Sequence, residues 1–195
     1  MAGALLSRHP GHPLRVALDG PDAGGPMELA GSVADALAAR GRASVALDAT
    51  WFWRDASLRL EDGRTDALSY RTAWLDGAAL HREVLTPLGP DGSRNYLPAL
   101  RDPVTNRSAR LAYQRAGPDE VVVLAGAFLL GRSLPFDVTI HLALDPAARA
   151  RRTPGAAAWT MPAWEDYDAE VRPLDVADMV VRWNDANRPA LSVTQ

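Results

Sequence analysis

Leu14-Arg15-Val16-Ala17-Leu18-Asp19-Gly20-Pro21-Asp22-Ala23-Gly24-Gly25-Pro26-Met27-Glu28-Leu29 carries the reading of the fold. Leu14 to Asp19 is a short aliphatic run, the pattern of a buried strand. The run stops at Gly20-Pro21 and a Gly-Gly-Pro turn follows. Leu29, Val33, Ala36 and Leu37 then recur at helical spacing up to Arg40-Gly41, and a second aliphatic run, Ala43 to Leu47, ends at Asp48. Strand, glycine loop, helix and strand form a βαβ unit, which predicts a parallel sheet. Gly20 and Gly25 stand at the spacing of a G-x-x-x-x-G-K-[ST] phosphate loop, but Pro26 and Met27 replace the lysine and the hydroxyl residue.

Further along, Glu120 to Gly126 is a continuous β-branched run, the mark of a central parallel strand covered on both faces. Asp137 to Leu144 and Asp178 to Trp183 read as strands. Leu75 to Leu85 and Trp164 to Arg172 read as helices, and Asp145-Pro146 opens a helix bearing Arg149, Arg151 and Arg152. Pro87 to Asp91 reads as loop, Arg94 to Ala112 as a short hairpin or flap, Pro154 to Ala158 as a linker and Asn187 to Gln195 as a tail. Residues 1–13 are expected to be a flexible leader, and 14–195 a single domain.

With 195 residues, 47% of them hydrophobic, the chain can bury one core. A net charge of −3 gives no basic field for nucleic acid or a membrane surface. No apolar run approaches the roughly 18–20 residues needed to cross a bilayer. There is no cysteine, so thiolate catalysis and cysteine metal sites are excluded; a reducing, cytoplasmic location fits. All 21 basic residues are arginine, which removes every mechanism that needs a lysine of this chain.

The order of these segments resembles the uridine kinase-like branch of the P-loop nucleoside kinases, over about Leu14 to Leu191. The family's loop is similar to Gly20 through Leu29. The Asp and aromatic element after its second strand resembles Asp48 with Trp51-Phe52-Trp53-Arg54. Its substrate helix resembles Leu75 through Leu88, its nucleoside-binding stretch Asp102-Pro103-Val104-Thr105-Asn106, its acidic strand end Val121 to Gly126, and its arginine lid Arg149 to Arg152. The resemblance implies an α/β three-layer P-loop fold with a central parallel sheet and helices on both faces.

It also implies roles. Asp48 would be the general base toward a sugar hydroxyl; read alone, it is equally a strand-end cap. Asp76 would meet ribose hydroxyls, or else cap a helix. Tyr96 would line the substrate pocket or simply pack, Asp102 would contact substrate from the nucleoside-binding stretch, Asn106 replaces a base-contacting histidine, and Trp51 and Trp53 would stack on a ring or join the core. Arg149, Arg151 and Arg152 would clamp phosphates or form a solvated helix face. His81 and His141 show no metal-ligand pattern and read as structural; no metal site is expected.

The departures fall on phosphate chemistry. Pro26 lacks both the cation and a backbone N–H. Met27 offers no oxygen to Mg²⁺, and Ala125 stands where the acidic residue belongs. The expectation is a degenerate phosphate loop on an atypical, pseudokinase-like protein that binds a small hydroxylated molecule or nucleotide. The alternatives are an active kinase using arginine for the missing lysine, with ATP and Mg²⁺, and an enzyme of another class reusing the pocket at Asp48. Association with a second copy is compatible with either.

Overall fold

The computed structural model describes residues 1–185 and 190–193. Six strands form the main sheet: β1 (Leu14–Asp19), β2 (Ser44–Asp48), β5 (Val121–Gly126), β6 (Val138–Ala143), β7 (Met179–Arg182) and β8 (Ala190–Val193). A separate two-stranded ladder pairs β3 (Asn95–Tyr96) with β4 (Gln114–Arg115). The main sheet runs β2-β5-β1-β6-β7-β8, parallel except for the antiparallel β7–β8 edge.

Alternation along β1 shows why this is a three-layer fold. Leu14, Val16 and Leu18 pack with Ala30, Val33 and Leu37 of the helix Pro26–Ala38 on one face. Ala17 belongs to a second core with Phe52, Leu80, Leu85, Phe128, Trp164 and Tyr167 on the other. All six residues of β1 and of β5 are buried, because both strands are covered on both sides. Pro26 occupies the first turn of its helix, where a missing N–H costs nothing. The helix closes at Gly41, whose φ of +80° lets Gly41 N–H reach Ala38 O and Arg42 N–H reach Leu37 O.

Five segments differ from their sequence reading. Residues 1–13 hold the helix Ala2–Leu6, with Leu5 fully buried. The Arg42 guanidinium fixes that segment by donating to the carbonyls of Leu5, Leu6 and Arg8. The Leu75 to Leu85 helix is broken into Gly77–Leu80, a π-turn His81–Leu85 and a final turn Thr86–Leu88 that includes Pro87. The hairpin partner of Asn95–Tyr96 lies at 114–115, just past Ala112. The linker is a 3-10 helix, Gly155–Thr160. The tail supplies β8; residues 186–189 and 194–195 lie outside the described residues. No described helix is long and apolar enough to cross a membrane.

Candidate functional site

The loop between β1 and its helix lies at the carboxyl ends of the strands, where open α/β sheets hold ligands. Its glycines are set by packing. A Cβ on Gly20 would stand 2.7 Å from Leu142 Cβ, and one on Gly24 2.8 Å from Leu142 Cδ2. Gly25 has φ +67°, a conformation that disfavours side chains.

The loop amides are largely occupied within the protein. Gly20 N–H donates to Gly126 O, Gly24 N–H to Pro21 O and Gly25 N–H to Asp22 O. Asp22–Gly24 forms a 3-10 turn, and Pro26 has no N–H to give. An anion-binding nest needs such groups free and convergent.

Facing the loop are two adjoining concavities. One, about 190 Å³, is lined by Asp22, Gly25, Glu28, Asp48, Thr50 and Gly126 among others. The other, about 250 Å³, is lined by Met27, Asp48, Trp51, Pro98, Ala99 and Leu111 among others. Asp48 and Met27 are common to both, so they form one cleft. Three carboxylates enter it, and no described arginine lines it. Glu28 folds back over the loop, placing Oε2 3.1 Å from where a Cβ on Gly25 would stand. Loss of hydration against the surrounding protein pushes the Asp22 carboxyl up; a hydrogen bond from the Tyr70 hydroxyl, at 3.3 Å, opposes the rise, and the charge of Asp48 adds to it.

Asp48 ends β2 beside Ala125, its register partner in β5, so no acidic side chain stands at that strand position. Its Oδ1 accepts from Thr50 N–H at 2.8 Å, capping the Ala49–Phe52 turn, while the residue still lines the cleft. Gly126 is needed at the end of β5, since a Cβ there would meet Ala49 Cβ at 2.6 Å.

The other sequence-selected residues are spread out. Trp51 lines the cleft, and its carbonyl accepts from Leu100 and Arg101 N–H. Trp53 meets Trp74 edge-on at 5.0 Å, with the Arg59 guanidinium over both rings. Asp76 caps the helix Gly77–Leu80 through Ala79 N–H. Tyr96 is buried, with its hydroxyl on Gln114; burial, with Glu120 second, pushes it up to about 12. Asp102 accepts from Val104 and Thr105 N–H in a turn. Asn106, at φ +57°, accepts from Ala56 N–H and joins two loops. None of Asp76, Tyr96, Asp102 and Asn106 lines the cleft. Of the lid arginines, Arg149 is only 2% exposed and pairs with Asp168 at 2.9 Å. Arg152 donates to Asn184 O and Arg151 is exposed. Among the described residues, no group of three or more His, Asp or Glu side chains could hold a metal.

Solved structures share this architecture. A protein described as a possible uridine kinase from Bacillus stearothermophilus superposes with a TM-score of 0.73 at 16% identity, over 92% of this chain and 94% of that one. A candidate fructose transport system kinase from Silicibacter sp. TM1040 gives 0.63 at 22% identity, over 90% and 94%. A D-glycerate 3-kinase from Cryptococcus neoformans gives 0.54 at 14%, over 87% and 77%. The chain has the P-loop kinase fold. No protein-family profile matches the sequence, and no curated protein matches it. On this P-loop kinase fold the loop glycines, the helix start and Asp48 are together at the strand ends, and no described arginine lines the cleft beside them.

Sequence reading did not give Asp22 and Glu28 a role. The signal was their placement inside the loop motif itself, two residues after Gly20 and three after Gly25. It likewise set His141 aside as structural.

Proposed function

We propose that the protein is an atypical relative of the P-loop small-metabolite kinases that binds a small hydroxylated molecule and does not transfer phosphate from Mg·ATP. One observation carries this reading. The cleft that would hold the phosphates is lined by Asp22, Glu28 and Asp48, with Pro26 at the loop and no described arginine in its walls. Catalysis in this class is positioning and charge stabilisation of a transferring phosphoryl group. Three carboxylates repel that group, and losing a charged contact costs on the order of 3 kcal/mol or more of transition-state stabilisation. An arginine-substituted kinase would need a guanidinium at the cleft. The roles of Trp51 as a stacking surface and Asp48 as the acceptor-side group belong to this reading.

A second reading has one observation in its favour. Asp22, pushed up, sits with Asp48 in one cleft, an arrangement suited to moving a proton to and from a hydroxylated substrate. In that reading the protein is an enzyme of another class, with Asp48 as base and Asp22 as acid.

Calorimetry with ATP, with and without Mg²⁺, tests the first reading. No Mg-dependent heat is expected. A Mg-dependent Kd tighter than about 100 μM, near −5.5 kcal/mol, would sink it. A screen of polyols and nucleosides for thermal shift, repeated on Asp48→Asn and Asp22→Asn, then separates binder from enzyme: turnover lost in both variants favours the second reading.

A further inference from the structure

His141 is 3% exposed and lies on the opposite sheet face from the loop helix. Its neighbours in β6, Ile140 and Leu142, point into the core of that helix. Its proton arrangement is determined by its partners. Asp19, fully buried, accepts from Leu129 N–H at 2.8 Å, from Tyr167 OH at 3.1 Å and from His141 Nδ1 at 2.7 Å. Tyr167 oxygen in turn accepts from Leu130 N–H, which directs the phenol proton to Asp19. The carboxylate is an acceptor in every contact, so Nδ1 of His141 carries the proton that faces Asp19, and Nε2 is the ring nitrogen left for another partner. No protein partner for Nε2 is found among the described residues.

His141 lines a concavity of about 400 Å³ beneath the segment 168–175, with Ala143, Leu144, Pro146, Leu174 and Arg182 among its walls. That volume suits a small organic ligand. Most of its charges are already paired: Asp168 with Arg149 and Asp175 with Arg172. Asp145 caps a helix through Ala148 N–H. Arg182 has no carboxylate partner among the described residues. It is the register partner of Ala143, so His141, Ala143 and Arg182 face the same side of the sheet. His141 is two residues further down β6, about 7 Å along the strand. The cavity therefore offers a buried imidazole on its floor, an apolar wall and a cation at its rim.

We propose that this cavity is a second binding site, for a small hydroxy-carboxylate whose hydroxyl bonds to His141 Nε2 and whose carboxylate meets Arg182. It does not depend on what the loop cleft binds.

The test uses the full chain and 4-hydroxybenzoate, whose two groups lie across a ring, with benzoate as control. Long-range ¹⁵N-histidine NMR should show the His141 Nε2 resonance move with 4-hydroxybenzoate and stay with benzoate. By calorimetry, Arg182→Gln, at an exposed position, should weaken binding of 4-hydroxybenzoate at least tenfold, as should His141→Gln. Should His141→Gln fail to fold, Arg182→Gln decides. No movement of His141 at about 10 mM ligand, enough to fill a millimolar site, overturns the proposal. So does a response confined to Met27 and Trp51, which would place the ligand in the loop cleft, and so does unchanged affinity in Arg182→Gln.

Discussion

Tyr167→Phe removes one oxygen from a buried polar network. The phenol oxygen accepts from Leu130 N–H at 3.2 Å and donates to Asp19 at 3.1 Å, and both Tyr167 and Asp19 are at most 1% exposed. Two losses follow. Leu130 N–H loses its partner at a buried position, at about 1–3 kcal/mol. Asp19 keeps Leu129 N–H and His141 but loses one of three donors, a contact to a charged group worth about 1.5–3 kcal/mol. The two share an atom and do not simply add, so we expect about 3 kcal/mol in total. For a chain of this length about 1 kcal/mol corresponds to roughly 2–4 °C, so Tm should fall by about 6–12 °C. Urea denaturation is the assay: the midpoint should drop with the slope unchanged, since the surface exposed on unfolding is the same. A loss below about 0.5 kcal/mol, the size of an ordinary surface change, would refute the view that this network holds the sheet to the helix Met161–Glu170.

Other expectations follow from the same structure. Asp22→Asn should raise the denaturation midpoint at pH 7, because the carboxyl is pushed up in the folded state and its charge opposes folding there. The gain should vanish as pH falls below about 4, where both states are protonated; a midpoint lower than wild type at pH 7 would contradict this. Above pH 10 the protein should lose stability: the Tyr96 phenol, pushed up to about 12 by burial, keeps its proton in the folded state while the unfolded chain releases it. Midpoints measured from pH 9 to 12 should fall steadily in wild type and less steeply in Tyr96→Phe; equal slopes would argue against it. Arg42→Met should cost about 2–4 kcal/mol, as it strips donors from the carbonyls of Leu5, Leu6, Arg8 and Asp119. It should also open the first residues to limited proteolysis, and an unchanged digestion pattern would sink the clamp it implies.

The parallel sheet was legible because its strands carry aliphatic runs that supply both cores, as in Val121 to Leu124. The loop and its helix were legible because Gly25 and Pro26 punctuate the chain in a way few other residues can. Residues 1–13 misled because their anchoring depends on Arg42, some thirty residues away, and no local pattern encodes a long-range guanidinium clamp. The π-turn at His81–Leu85 hides inside a helical apolar pattern, since one extra residue per turn barely alters spacing. At the site, Asp48 was findable from its place at a strand end. The Asp19–His141–Tyr167 network was not, because its members come from three elements that only the sheet and its covering helix bring together.

The strand order has a consequence for synthesis. β1 and β2 are made early, yet they do not touch; β5 lies between them and bonds to both. Roughly 80 residues separate the end of β2 from the end of β5. At about 5–20 residues per second the ribosome takes roughly 4–16 s to deliver the missing strand. Through that interval two aliphatic strands present unpaired edges. The nascent chain is then at its most exposed to misassociation, a hazard set by topology rather than by the stability of the finished fold.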